Sequence, residues 1–238
     1  MRYVSTLQYA RLLEAAEYYE EKGFKYVDVP WAVSRKAILL TRPPQIKTAP
    51  FSFAVDYERS DKWLTARPGT RLYPVASAEQ SFLQMQMDAV KAGKPITGNY
   101  CAITPCFRNE PKLDDLHQPY FMKLELISWV PIDGNPTEQE IALHRMIAHA
   151  RQFFEELEKD FETETVLNAE LAQGDPLCVG GHAFDIQSFR CGIEIGSYGI
   201  RQHKAVGRWL YGTGLAEPRY TYAVEVEAAQ RAAAGQIA

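Results

Sequence analysis

Near the middle of the chain, Phe107-Arg108-Asn109-Glu110 sets an arginine and a carboxylate two residues apart at what the pattern marks as the end of a strand. Residues of equal parity on a strand share a face, so Arg108 and Glu110 point to one side. The polar stretch that follows returns at Phe121 and Glu125, themselves of equal parity, on a neighbouring strand. A guanidinium suits a phosphate, a carboxylate accepts from an amino group, and an aromatic ring offers a stacking surface. Together they describe a nucleotide pocket. The same residues also fit a hairpin bearing solvent-exposed ion pairs, each contributing about 0–1 kcal/mol, and the pattern alone leaves both readings open.

Two further constellations lie towards the C-terminus. Glu194-Ile195-Gly196-Ser197 sets a carboxylate and a hydroxyl at a spacing that serves one hard cation if the strand ends or bulges between them; a buried, hydrogen-bonded glutamate is the equal alternative. Gly212-Thr213-Gly214-Leu215-Ala216, followed by Arg219, permits close approach of a ligand or of a packing side chain. It lacks the third glycine and downstream acid of a dinucleotide fold and the lysine of a phosphate loop, so tight packing is the better reading of these residues alone. Cys106, Cys178, His182 and Cys191 could take zinc, but their spacing matches no closed tetrahedral motif.

Residues so far apart in sequence need a scaffold to bring them together. With 238 residues, 46% apolar and 24% charged, the chain has material for one large packed domain. A net charge of −4 excludes a polycation that holds nucleic acid by bulk attraction, so any polyanion must be gripped locally. Arg2, Arg11, Glu14 and Glu17 interrupt the N-terminal segment and no later apolar stretch would cross a bilayer, which points to a soluble, cytoplasmic protein with no membrane partner. Four cysteines without a CxxC pair read as reduced, mostly buried thiols.

The pattern predicts a first helix opened by a capping box from Ser5 to Gln8, with Leu7, Ala10, Leu13 and Ala16 at helical spacing and a stop at Gly23. A strand over 24–29 then ends at Pro30. From Trp31 to Pro68 prolines break every period, leaving a connecting region with short strands at most. A helix over 77–92 capped by Ser77, antiparallel strands over 100–107 and 120–130, and a helix over 137–161 opened by Thr137 and Glu140 follow. Strands over 182–189 and 192–196, the run 211–216 and a last helix over 217–234, with Pro218 in its first turn, complete the reading. The expected class is α+β, an antiparallel β-sheet flanked by helices.

The order of these motifs resembles one family. Tyr100 to Glu110 (YCAITPCFRNE) with His117 to Leu126 (HQPYFMKLEL) is similar to motif 2 of the class II aminoacyl-tRNA synthetases, the seryl enzymes most closely. Gly212 to Arg219 (GTGLAEPR) resembles their motif 3, Pro30 stands where motif 1 has its proline, and Ser77-Ala78-Glu79 is similar to the seryl Thr-Ala-Glu tripeptide. The resemblance runs from about Ser5 to Gln230 and implies a class II synthetase-like catalytic core with ATP and Mg2+ as cofactors. It implies that Arg108 holds the ATP α-phosphate, Glu110 accepts from the adenine amino group, Phe121 stacks on the ring, and Arg219 covers the other face and meets the γ-phosphate. Glu194, at the ATP, and Ser197 match the magnesium ligands, and Glu79 and Glu125 match positions near the amino-acid substrate.

The departures also matter. Tyr211 stands where a seryl enzyme has asparagine before its motif 3 glycines, so serine is not the implied substrate. Ser197-Tyr198-Gly199-Ile200-Arg201 is similar to a stretch of ammonia-dependent asparagine synthetase, in which light Arg201 would meet a substrate carboxylate. The implied activity is activation of a small amino acid as its adenylate, then aminoacyl transfer to tRNA, a carrier-protein thiol or another acceptor, by a homodimer. The alternatives are a non-catalytic regulatory paralogue and an asparagine-synthetase-like ligase that does not use tRNA. One catalytic domain over 1–238 is expected, without an anticodon-binding or coiled-coil domain, so that tRNA recognition is minimal, supplied by another chain or missing.

Overall fold

Leu12, Ala15, Ala16 and Tyr19 recur at the spacing of one helix face, and all four are buried in α1 (Tyr9–Glu21) of the computed structural model, which describes residues 7–41, 72–108 and 113–235. Ser5 of the expected capping box lies outside the described residues, and Gln8 at the cap makes no side-chain hydrogen bond to the helix. Gly23 ends the segment as read, with φ at +88°, a conformation a side chain would strain. The strand expected over 24–29 shrinks to β1 (Lys25–Tyr26).

The region after Pro30, expected to hold short strands at most, also holds a helix. β2 (Ala32–Ser34) runs into α2 (Arg35–Leu40), where the Ser34 hydroxyl accepts from the Ala37 N–H at 3.3 Å, and β2 pairs with β3 (Leu72–Pro74). Prolines 43, 44, 50 and 68 lie outside the described residues. α3 (Ala78–Lys91) is capped by Ser77 as expected, with the Glu79 N–H donating to its hydroxyl at 3.2 Å.

β4 (Gly98–Phe107) and β5 (Tyr120–Val130) pair antiparallel from end to end. α4 spans Pro136–Leu157, and its cap is Asn135, whose side chain accepts from the Thr137 N–H at 3.0 Å. This corrects the expected Thr137 box: Pro136 pre-sets the first helical residue, so capping falls two places earlier, at Asn135. β6 (Thr163–Leu167) and the short α5 (Ala169–Gly174) were not anticipated. β7 (Cys178–Ser188), β8 (Glu194–His203) and β9 (Gly207–Glu217) are longer than the patterns suggested. Pro218 precedes α6 (Arg219–Gly235), and its carbonyl accepts from the Tyr222 N–H.

The strands form a sheet in the order β1-β4-β5-β9-β8-β7-β6, antiparallel except where β1 runs parallel to β4. The α+β expectation holds. α1, α4 and α6 cover one face, where Leu12, Tyr19, Met146, Phe154 and Tyr220 pack on Leu124, Leu126, Tyr198 and Leu215. On the other face α3 packs Ala78, Phe82 and Leu83 against Ile127, Trp129, Trp209 and Tyr211. Gly212 and Gly214 are packing glycines. A Cβ at 212 would come within 2.6 Å of the Met146 sulfur, and one at 214 within 2.8 Å of the Tyr19 ring. Gly214→Ala is therefore expected to cost about 1–3 kcal/mol by overpacking, measured as a lowered urea midpoint at unchanged m-value.

Candidate functional site

Alternation along five neighbouring strands decides which side chains meet. On the face that carries α3, Phe121, Lys123 and Glu125 share parity on β5, and Cys106, continued by Arg108, pairs opposite Phe121. Arg201, Gly199 and Ser197 of β8 stand opposite Trp209, Tyr211 and, across the next step, Thr213 of β9. Asp185 of β7 stands opposite Ser197. Glu194 would fall on the wrong side of β8, but the register slips by one residue, with Ile186 opposite Gly196 and Gln187 opposite Glu194. This is the irregularity the spacing of Glu194 and Ser197 required, and it returns both to one face.

The first cluster surrounds Phe121. The Arg108 guanidinium lies 5.0 Å from the Phe121 ring centroid, and its Nε donates to the Ala76 carbonyl at 3.4 Å. Phe121 and Arg219 line one shallow open cleft with Asp115, Leu116, Gln118 and Pro218. From the first residue of α6, Arg219 reaches Glu194 at 3.4 Å and the Leu116 carbonyl at 3.5 Å. Phe121 thus has Arg108 over its ring and shares a cleft with Arg219, from a distant part of the chain. Glu110 lies outside the described residues.

Next to Glu194 sits a residue sequence reasoning missed. Asp185 is buried and accepts from the Asn168 amide at 2.8 Å. Burial and the nearby charge of Glu194 push its carboxyl up to about 6, only partly offset by Ser197, Asn168 and Arg219. Its Oδ1 and the Ser197 hydroxyl are buried without a well-formed hydrogen bond. Two carboxylates and a hydroxyl, some of them unsatisfied, are the oxygen donors a magnesium ion takes when phosphates complete its shell. The residues fit the ion. No sequence signal marks Asp185, because its place depends on strand register. Among the described residues no group of three or more His, Cys, Asp or Glu could hold a metal, and the zinc candidates are not gathered into a site.

The second cluster is an ionic core. Arg201, 8% exposed, donates to Glu79 at 2.6 Å and to Asp175 at 2.7 Å and lies over the Tyr211 ring at 4.2 Å. Burial would pull its charge down, yet Glu79, Tyr211 and Asp175 hold it above its ordinary value. The Glu79 carboxylate also accepts from the Trp209 indole at 2.7 Å. Glu125 accepts from Ser77 at 2.6 and 2.8 Å, from Lys123 at 2.9 Å and from the Glu79 N–H at 3.2 Å. Glu79, Glu125, Arg201 and Tyr211 are therefore brought together, and the segment Ala76 to Glu79 joins them to Arg108.

The comparisons carry this geometry further. No protein-family model matches the chain. A serine–tRNA ligase of Synechococcus elongatus is 29% identical over 174 residues, 69% of this chain and 35% of that protein. One from Cupriavidus taiwanensis is 26% identical over 165 residues, 65% of this chain and 36% of its own length. The chain spans about a third of these curated relatives. Among solved structures, seryl-tRNA synthetase from Pyrococcus horikoshii complexed with ATP superposes with a TM-score of 0.61 at 20% identity, over 90% of this chain and 49% of that one. Pyrrolysyl-tRNA synthetase from Desulfitobacterium hafniense gives 0.59 at 14%, over 91% and 69%.

The chain folds as a class II aminoacyl-tRNA synthetase catalytic core. In this fold the hairpin that resembles motif 2 is β4 and β5, and the unit that resembles motif 3 is β9 and α6. Among the described residues no helix is long and apolar enough to cross a membrane.

Burial pushes the Glu125 carboxyl up, but the Lys123 charge and the hydrogen bonds from Ser77, Lys123 and the Glu79 N–H outweigh it and hold the group below its ordinary 4.5. A carboxylate depressed in the folded state adds stability that is present above its unfolded value and lost as pH falls through the folded one. Glu125→Gln is therefore expected to be less stable than the parent at pH 7. The gap should narrow below about pH 4.5, read from urea midpoints across the pH range.

Proposed function

We propose that this synthetase core is a cytoplasmic ligase that activates a small amino acid with ATP and magnesium and passes the aminoacyl group to an acceptor. The observation that carries the reading is the placing of Arg108 over the Phe121 ring, which itself lines one cleft with Arg219. In the first step a carboxylate oxygen of the amino acid bonds to the α-phosphorus while the bond to the bridging oxygen breaks and pyrophosphate leaves. That displacement needs no protein nucleophile, only alignment and positive charge around the phosphates. Arg108 serves the α-phosphate and Arg219 the γ-phosphate, with adenine stacked on Phe121 and its amino group given to Glu110. Bound magnesium, held by Glu194, Ser197 and Asp185, supplies further positive charge to the phosphates.

Glu79, Glu125 and Tyr211 serve the amino acid. The bracketing of Arg201 by Glu79 and Asp175 weighs against a substrate with a side-chain carboxylate, since its charge is already met at 2.6 and 2.7 Å. This disfavours the asparagine-synthetase-like reading. A binding-only paralogue has no use for both phosphate arginines together with oxygen donors left unsatisfied on the neighbouring strands. tRNA is the acceptor the two curated relatives support, both being serine–tRNA ligases; a carrier-protein thiol is the other outcome a charging assay would reveal. A homodimer through α1 and the segment ending at Pro30 completes the proposal.

The test is amino-acid-dependent exchange of labelled pyrophosphate into ATP across the twenty amino acids. Exchange with one or a few small amino acids is the expected outcome, and no exchange with any would overturn the reading. Arg108→Ala and Arg219→Ala should each lower exchange by about 10²- to 10³-fold, while circular dichroism and melting temperature stay at parental values.

A further inference from the structure

The carboxylate of Glu217, the last residue of β9, is completely buried, two positions before Arg219. Nothing in the proposed chemistry uses it, and charged groups are not left in such places without partners. Its partners come from two elements. Thr221, in the first turn of α6, donates to Glu217 Oε2 at 2.8 Å. Arg11 of α1 donates to the same Thr221 hydroxyl at 2.9 Å. It stands 3.9 Å from Glu217 Oε1, an ion pair without a hydrogen bond, so that the link from Arg11 to the carboxylate runs chiefly through Thr221. The Arg11 guanidinium also lies 5.5 Å from the Tyr220 ring centroid, pairs with Glu158 at 3.5 Å, and is held on the helix-covered side of the sheet. Residues 217, 220 and 221 bracket Arg219 and are all tied to one side chain of α1.

Among the described residues Arg219 itself has only long contacts, 3.4 Å to Glu194 and 3.5 Å to the Leu116 carbonyl. Its direction is therefore set by the turn that launches it rather than by partners at its tip. We infer that Glu217, gripped by Arg11 and Thr221, is a positioning residue that fixes the start of α6 so that Arg219 meets the terminal phosphate of ATP. Glu217 does not touch the nucleotide. The inference rests on the proposed role of Arg219, so the experiment separates the two.

Binding of ATP and of AMP to the full chain is measured by calorimetry for the parent, Arg219→Ala, Glu217→Gln, Arg11→Met and Arg11→Lys. AMP has no terminal phosphate, so a positioning defect weakens ATP and spares AMP, whereas general loosening of the fold weakens both. Glu217→Gln and Arg11→Met are expected to lose about tenfold in ATP affinity with AMP affinity unchanged, Arg219→Ala to lose at least as much, and Arg11→Lys to recover most of the loss. Combining Glu217→Gln with Arg11→Met should be no worse than either alone, because both break one link. If Arg219→Ala weakens ATP while Glu217→Gln leaves it unchanged, or weakens ATP and AMP equally, the inference falls and the nucleotide reading stands. If the parent binds no ATP, the nucleotide reading falls and takes the inference with it.

Discussion

A pleated sheet presents functional side chains to one side only while its register holds, because a slip of one residue sends every later side chain to the opposite face. This constraint governs the molecule. α1, α4 and α6 fill one face with apolar side chains, so the chemistry must come from the other. Two irregularities then correct the alternation where the sequence is out of step. One, between β7 and β8, turns Glu194 to the face of Ser197 and Asp185. The other, between β5 and β9 near Leu124 and Glu125, tucks Gly214 against Leu124 and Tyr19 and lets Glu217 end β9 on the buried side. Without the first, Glu194 would not stand on the face of Ser197 and Asp185, 3.4 Å from the arginine at the head of α6.

Charge is buried on this platform only where it is answered. Arg201 stands between two carboxylates and over a ring, and Glu125 takes four hydrogen bonds from three residues. Breaking one partner of such a set costs more than forming it contributes, because the survivor is left uncompensated in a poorly solvated place. The two clusters differ in this respect. Around Arg201 and Glu125 the groups satisfy one another, which gives a stiff floor. Around Asp185 and Ser197 they do not, and the missing oxygen or cation contacts are what a charged ligand would supply.

Much of this was legible from residue order. The two antiparallel strands carrying Arg108 and Phe121, with Phe121 and Glu125 on one face, were placed correctly, and helical spacing found the long helices, since both depend on neighbours within one element. What stayed hidden depends on distant partners. Asp185 looks like any strand aspartate until β8 is laid beside it in register. Arg201 reads in sequence as a partner for a substrate carboxylate because its own partners are distant, Asp175 in the loop before β7 and Glu79 in α3. α2 and α5, six residues each, are too short to show a period, and α4 is capped by Asn135 because a proline at the following position outweighs the more familiar box at Thr137.

The outermost strands have a consequence for life in a crowded solution. β1 offers two residues and β6 five, whereas the strands they flank run to ten and eleven. An exposed ladder of unpaired amides is a template for accretion of other chains, and its danger grows with its length and flatness. By trimming its borders, the sheet presents short rows of backbone on which a stray strand could settle, and so keeps a broad hydrogen-bonded surface from seeding fibrous growth.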